Sequence, residues 1–282
     1  MARHLLGKTV SEALSVKLKK QADWLKENGI LPMLAMVRIG QKPEDISYER
    51  GAMKRCASVG VACRQIELPE DIGQEALLSV MKELNQDDKI HGVLLFRPVP
   101  KHLDQTAIEN ALDPAKDVDC MTDASIMGVF TGRDIGFAPC TPQACLEILD
   151  HYGIDCTGKK AVVIGRSLVV GRPLAMMLMA RNATVTVCHT KTKDVPSVSR
   201  DADIIISTVG KAGMIDASYV KPGQIVLDVG INVNEEGQLC GDVSWADVEP
   251  VVDAITPVPG GVGAVTSTVL AAHVLRAASK TL

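Results

Sequence analysis

The residues best suited to chemistry lie in the run AVVIGRSLVVGRPLAMMLM, where an apolar strand (161–164) turns through Gly165, Arg166 and Ser167 and enters a helix past Gly171. Glycine permits a tight turn and lets a phosphate approach the backbone, and a helix N-terminus carries partial positive charge. On its residues alone, G-x-S-x-x-x-G is either a plain strand–turn–helix joint or a phosphate cradle, because it departs from the G-x-G-x-x-G fingerprint. The next strand sharpens the choice. It ends at Cys188-His189-Thr190-Lys191-Thr192, about 20 residues past the turn, where an NAD-selective site places an acid on the ribose 2′-hydroxyl. Here the strand end is hydroxyl-rich and basic. Arg166, Thr190 and Lys191 suit a 2′-phosphate, so NADP is the expected cofactor. His189 reads as structural, and Met176, Met177 and Met179 read as core packing.

Two further places could do chemistry. Pro259-Gly260-Gly261, in ITPVPGGVG, opens the last helix as a rigid phosphate- or ring-binding turn. Tyr48, in GQKPEDISYERGAMKRC, and Asp119, in DVD, are either packing and turn-capping residues or ligand contacts. Asp45, Arg50 and Arg97 are either solvated charges or parts of a polar site.

The elements that must position these residues alternate. Apolar β-type runs at 31–39, 91–96, 160–165, 183–189, 203–208 and 224–230 are separated by helix-like stretches such as 44–58, 74–85, 141–152, 169–181 and 262–279. Continuous apolar strands between helices predict parallel sheets covered on both faces, an α/β fold. The N-terminus reads as a helix beginning near Thr9 or Ser11. Residues 1–138 form the expected first block. The segment LDPAKDVDCMTDASIMGVFTGRDIGFAPCTP, rich in Pro, Gly and Asp, reads as a linker that crosses a cleft and contributes to it. Residues 139–268 form the second block, and the C-terminal helix, through 269–282, is expected to complete the first.

Composition limits what such a chain can be. It has 282 residues, 46% hydrophobic and 23% charged, with a net charge of −4. That suits a globular protein of two domains or one large one. Without a basic field, binding to nucleic acid or to an anionic membrane is not expected. No apolar run approaches the roughly 20 residues needed to span a bilayer. The first residues lack the continuous apolar segment of a secretory signal, so a cytoplasmic location is expected. None of the eight cysteines forms a CxxC spacing and no HExxH is present. Reduced core thiols are therefore expected, and no metal.

The segments GRSLVVGRP, VCHTKT, IVLDVGIN, GDV, ITPVPGGVG, DPAKDVD and PCTP together resemble the bifunctional methylenetetrahydrofolate dehydrogenase/cyclohydrolase family, and the resemblance covers essentially the whole chain. TPVPGGVG is its most specific part. The resemblance implies a two-domain α/β architecture, with an N-terminal folate domain, a Rossmann-type NADP domain, a cleft between them and a homodimer. It implies cofactor contacts at Gly165, Arg166, Ser167, Gly171, Thr190 and Ile231. It also implies folate contacts at Tyr48, Asp119, Pro259, Gly260 and Gly261, with Tyr48 and Asp119 catalytic.

The departures from the family pattern carry information of their own. The family's catalytic helix reads approximately S-x-x-Y-x-x-x-K. Here Asp45 stands at the Ser position, Tyr48 matches, and Ala52 occupies the Lys position. Lys54 matches only a second basic position, and two residues along a helix is about 200° of rotation. The family's G-x-L-V-Q-L-P-x-P is GVLLFRPVP, so Phe96 replaces the Gln and Arg97 follows it. Hydride removal from a methylene carbon flanked by nitrogens needs positioning more than a base. Adding water to the methenyl cation and opening the ring needs proton transfer. The residues therefore predict a methylenetetrahydrofolate dehydrogenase whose cyclohydrolase is lost or weak. The alternatives are an inactive nucleotide- and folate-binding paralogue and an NADP oxidoreductase with another substrate.

Overall fold

The computed structural model describes residues 1–282. The chain begins with β1 (Arg3–His4) and α1 (Gly7–Glu27), then β2 (Met33–Ile39), α2 (Pro43–Ser58), β3 (Ala62–Leu68), α3 (Gln74–Gln86) and β4 (Gly92–Leu95). Next come α4 (Gln105–Asn110), α5 (Asp123–Thr131), α6 (Cys140–His151), β5 (Lys160–Ile164), α7 (Gly171–Ala180), β6 (Thr184–Cys188), α8 (Val195–Arg200) and β7 (Ile204–Ser207). Last are β8 (Ile225–Asp228), β9 (Asn232–Val233), β10 (Leu239–Cys240), α9 (Trp245–Val248), β11 (Ala254–Ile255) and α10 (Gly263–Ser279).

Two compact units result. One comprises residues 13–140 and 267–282, the other residues 1–12 and 141–266. Residues 1–12 thus fall outside the first block expected from the sequence. The reason is β1, which pairs in parallel with β11 through Arg3 opposite Ala254 and His4 opposite Ile255. A two-residue edge strand leaves almost no hydrophobic periodicity to read. The N-terminal helix also starts earlier than expected, at Gly7, whose missing side chain lets the Gly261 carbonyl approach; a Cβ at residue 7 would lie 2.0 Å from that oxygen.

In the first unit, a three-stranded parallel sheet runs in the order β3-β2-β4. Helix α3 packs Leu77, Met81 and Leu84 onto Val37, Val93 and Leu95 of the sheet. Burying each such side chain stabilises by roughly 1.5–3 kcal/mol. Strand β3 is absent from the apolar runs because ACRQIEL is an edge strand, with Arg64, Gln65 and Glu67 exposed. The segment read as a linker is built into structure. It holds a 3-10 turn (Pro114–Lys116) and α5, which is capped by the Thr122 side chain on the Ser125 N–H and ended by left-handed Gly132. Asp117 is fully buried and accepts from the N–H groups of Met121 (2.9 Å) and Thr122 (2.8 Å) and from the Thr122 hydroxyl (2.8 Å). That makes Asp117 the structural acid of the DVD pair.

In the second unit, a six-stranded sheet runs β1-β11-β8-β7-β5-β6, with every pairing parallel. The chain lays β6 on one side of β5 and β7 on the other. The carboxyl end of β5 is therefore a topological switch point, where a crevice opens for ligands. Its core joins Val162 and Ile164 to Ile205, Val226 and Ile255. Met179 is 54% exposed on α7 and is not a core residue. The helix presents Leu174, Ala175 and Leu178 inward instead. All eight cysteines are free thiols, six of them buried.

Candidate active site

At the switch point the backbone of Gly165 has φ +126°, and a Cβ there would lie 2.1 Å from Thr208 Oγ1. A Cβ on Gly171 would lie 2.2 Å from the Gly165 carbonyl oxygen. Both positions accept only glycine, and together they fold the turn tightly over the start of α7. The Ser167 hydroxyl oxygen accepts from the N–H groups of Val170 (3.1 Å) and Gly171 (3.4 Å), capping the helix. Its O–H remains to donate. Arg172 Nε donates to the Arg166 carbonyl (3.1 Å), which fixes the turn and leaves both guanidinium groups exposed.

The neighbouring strand end lies beside this turn, because Ile164 pairs with Cys188 and Gly165 N–H donates to the Cys188 carbonyl at 2.9 Å. His189 shapes that turn. Its Nδ1 accepts from the Lys191 N–H (3.1 Å), and its own N–H donates to Thr192 Oγ1 (2.9 Å). Thr190 and Lys191 are exposed. This donor set of glycine turn, hydroxyl and cations fits the phosphates of a dinucleotide, and its basic strand end fits a further 2′-phosphate.

A second feature of the same unit gathers Ile231, Pro259, Gly260 and Gly261. They line a cavity of about 320 Å³ together with Asp228, Leu239 and Val262. Gly261 is held close to its own loop, since a Cβ there would lie 2.5 Å from the Pro257 carbonyl. The Gly7 N–H donates to the Gly260 carbonyl at 2.8 Å, tying the loop to the start of α1. Ile231 is 70% exposed. Beneath the loop, the Asp228 pKa is pushed up to about 6, first by burial and further by the adjacent Asp242. The backbone N–H groups of Val243 (2.9 Å), Asp242 (3.0 Å) and Gly230 (2.9 Å) pull against that rise. Asp242 is itself saturated by Ser207, Val209, Lys211 and Asn232. These two acids organise the loops around the cavity.

The other unit carries Tyr48 and Asp119. Tyr48 lies on α2, which begins with Pro43 at its first turn and carries Glu44 and Asp45 where the helix dipole favours acids. The Tyr48 ring meets Phe96 edge to face, with centroids 6.0 Å apart. Packing of protein around Tyr48, with Cys140 and Asp119 next in influence, holds its pKa above the usual tyrosine value. Ala52, one turn on, is 1% exposed, while Lys54 points to solvent. The Lys position of the family pattern is thus a buried methyl group.

Asp119 accepts from the Cys140 N–H at 3.1 Å. Burial raises its pKa, against the pull of that N–H and of Arg97. Arg97 Nη1 donates to Glu109 at 2.9 Å, and its Nη2 stands 3.8 Å from Asp119 Oδ2. Glu109 also accepts from Gln105 (2.9 Å). Of the charges left open between solvent and site, Arg97 is partly buried beside Asp119, whereas Arg50 is exposed. The sequence reading missed Glu109 and a buried pair that includes Glu49, the residue after Tyr48. Arg38 Nε donates to Glu49 Oε2 at 3.3 Å, with side chains 4% and 2% exposed. An Arg in the otherwise apolar run LPMLAMVRI was the available signal.

A parallel sheet with a glycine turn at its switch point, in a chain with a second α/β unit, defines a nicotinamide-nucleotide-binding α/β protein. Residues 139–282 match the family described as tetrahydrofolate dehydrogenase/cyclohydrolase, NAD(P)-binding domain, and residues 5–119 match its catalytic domain. The chain therefore belongs to the tetrahydrofolate dehydrogenase/cyclohydrolase family, whose members are enzymes of tetrahydrofolate metabolism. It is 49% identical over 271 residues to the bifunctional protein FolD of Clostridioides difficile (strain 630), covering 96% of this chain and 94% of that protein. Among solved structures, the bifunctional FolD of Campylobacter jejuni superposes with a TM-score of 0.97 at 39% identity, covering 100% of both chains. The Trypanosoma brucei FolD, complexed with NADP cofactor and inhibitor, superposes with a TM-score of 0.93 at 31% identity, covering 99% of this chain and 98% of that one. No helix is long and apolar enough to cross a membrane.

Proposed function

We propose that the protein is an NADP-dependent 5,10-methylenetetrahydrofolate dehydrogenase in which methenyltetrahydrofolate cyclohydrolase activity is weak or lost. The observation that carries this reading is the pair Ala52 and Phe96. One is a buried methyl group and the other an aromatic ring packed on Tyr48. Neither can accept or donate a proton.

NADP held at the Gly165–Gly171 turn would supply the hydride acceptor of the dehydrogenase reaction. The substrate nitrogens stabilise the resulting cation, so the protein's task is placement. Asp119 accepts hydrogen bonds from the pterin N–H donors, and Tyr48 bears on the ring. Pro259, Gly260 and Gly261 present a rigid backbone to the substrate. Gly165 and Gly171 allow phosphate to approach the α7 N-terminus, Ser167 donates its hydroxyl, and Ile231 packs against the cofactor. Arg166 and Thr190 hold the 2′-phosphate, which favours NADP over NAD. The family resemblance implies a homodimer.

Hydration of the methenyl cation requires a proton acceptor at the attacking water, and collapse of the adduct requires a donor to the leaving nitrogen. With Ala52 and Phe96 in place, neither of those two positions supplies a group for these roles. The test is incubation with 5,10-methylenetetrahydrofolate and NADP, following NADPH and the methenyl product separately. The expected outcome is NADPH formation with methenyl product accumulating. Conversion of that product to 10-formyltetrahydrofolate as fast as it forms would overturn the loss of hydrolysis.

A further inference from the structure

The position after Phe96 carries a charge with an unusual set of neighbours. Arg97 is anchored by a 2.9 Å bond from Nη1 to Glu109, which Gln105 also holds. Its Nη2 stands 3.8 Å from Asp119 Oδ2, too far for a hydrogen bond. Asp119 is fixed from the other side, where Oδ1 accepts from the Cys140 N–H at 3.1 Å. The two side chains are 21% and 31% exposed. A donor and an acceptor of opposite charge therefore stand side by side, each anchored from behind, with neither satisfied by the other. The adjacent Phe96 and Tyr48 rings offer flat apolar surface.

We propose that Arg97 and Asp119 together read the hydrogen-bonding edge of the pterin ring: Asp119 accepts from the ring N–H and amino group, and Arg97 donates to the neighbouring 4-oxo oxygen. The inference rests on the folate reading above and adds Arg97 as a specificity-determining residue. The physical argument is complementarity. The 2-amino-4-oxo edge of a pterin places N–H donors next to a carbonyl acceptor, the reverse of the acceptor–donor order in this pair. A guanidinium donates through a planar fork and cannot accept, so a ligand with an amino group at position 4 would set donor against donor. A site built to hydrogen-bond one group discriminates strongly against an analogue that cannot return the bond. Arg97 thereby supplies polar contact on the stretch where Phe96 offers none.

The experiment measures calorimetric binding of tetrahydrofolate and of its 4-amino-4-deoxy analogue to the wild-type protein, Arg97→Met and Arg97→Lys. The wild type is expected to prefer the 4-oxo ligand by at least about tenfold, and Arg97→Met to compress that ratio to within about threefold. Arg97→Lys, which keeps a donor without the fork, should retain part of the preference. A purely structural role for Arg97 would weaken both ligands alike and leave the ratio unchanged. Glu109→Gln, which loosens the guanidinium without removing it, should shrink the ratio in the same direction and serves if Arg97→Met does not fold. An unchanged ratio in the Arg97 and Glu109 variants, with tetrahydrofolate still bound by the wild type, overturns this inference alone. Failure of the wild type to bind tetrahydrofolate overturns the folate reading and this inference with it.

Discussion

The Phe96 ring stands edge-on to the Tyr48 ring, with centroids 6.0 Å apart and planes at 81°. In the family pattern the first of these positions is a Gln and the second keeps its Tyr. An aromatic pair therefore occupies the place of a polar one. Edge-to-face pairs contribute about 0.5–1.5 kcal/mol beyond their buried area, so the substitution has a packing logic of its own. Together with the buried Ala52 it removes hydrogen-bonding capacity from these two positions, while Asp119 and Arg97 keep theirs.

Restoring the family pair tests that division. Ala52→Lys alone puts an ammonium where the present side chain is 1% exposed, so it should destabilise the fold and add little hydrolysis. Ala52→Lys with Phe96→Gln exchanges a large ring for a smaller amide and gives the lysine a partner. The double variant should speed decay of preformed methenyltetrahydrofolate by about 10²-fold, the lower end of what general acid–base catalysis contributes. Decay of the methenyl absorbance reads the effect, and no change in the double variant would show that further residues block hydrolysis.

Cofactor choice is tested at Arg166. The side chain is exposed beside the glycine turn, and its carbonyl is pinned by Arg172. Removing a charge-assisted contact costs about 1.5–3 kcal/mol. Arg166→Ala should weaken NADP by about tenfold or more, while NAD, which lacks the 2′-phosphate, changes much less. Calorimetric titration of both nucleotides measures the split, and equal losses would assign Arg166 a structural role.

Asp119→Ala should abolish folate binding and leave NADP affinity intact. The neighbouring Asp117 offers the control. It is fully buried and holds Met121 and Thr122, so Asp117→Ala should lower the melting temperature instead. Losing the partner of buried donors costs roughly 1–3 kcal/mol each. Calorimetry for ligands and thermal unfolding for stability distinguish the two acids.

His273 sets a pH dependence of stability. It is buried on α10, its pKa is pushed down to about 4 chiefly by burial, and its Nδ1 lies 2.9 Å from the Val118 carbonyl. Between the unfolded value of about 6.5 and the folded value, the unfolded chain binds a proton that the folded one does not. Its contribution to stability is therefore complete above pH 6.5. It is lost as pH falls towards 4, with a slope of at most about 1.4 kcal/mol per pH unit. Asp228, raised to about 6, works in the opposite sense, adding stability as pH falls from 6 to 4. The comparison of wild type with His273→Asn isolates the histidine. Urea unfolding at pH 4.5 and 7 should show a smaller pH difference in the variant.

Sequence alone was enough for the alternation of strands and helices, the glycine turn and the second proline–glycine loop. Each depends on local rules. Buried parallel strands such as Ile204–Ser207 must be continuously apolar, and turns such as Gly165 and Gly171 leave no space for a side chain. The Ala and Phe at the Lys and Gln positions could be read from the pattern as well. Tertiary structure decided what depends on partners distant in the chain. It drew β1 onto the edge of the second sheet through two residues and built the apparent linker around buried Asp117. It also exposed Met179 on the outer face of α7. Arg97 shows the difference most directly. One arginine in GVLLFRPVP is compatible with a solvated charge, and only folding brings Glu109 and Asp119, 12 and 22 positions away, to either side of it. Local propensity is written in neighbouring residues, but the field a charge experiences is summed over groups that only the folded chain brings together.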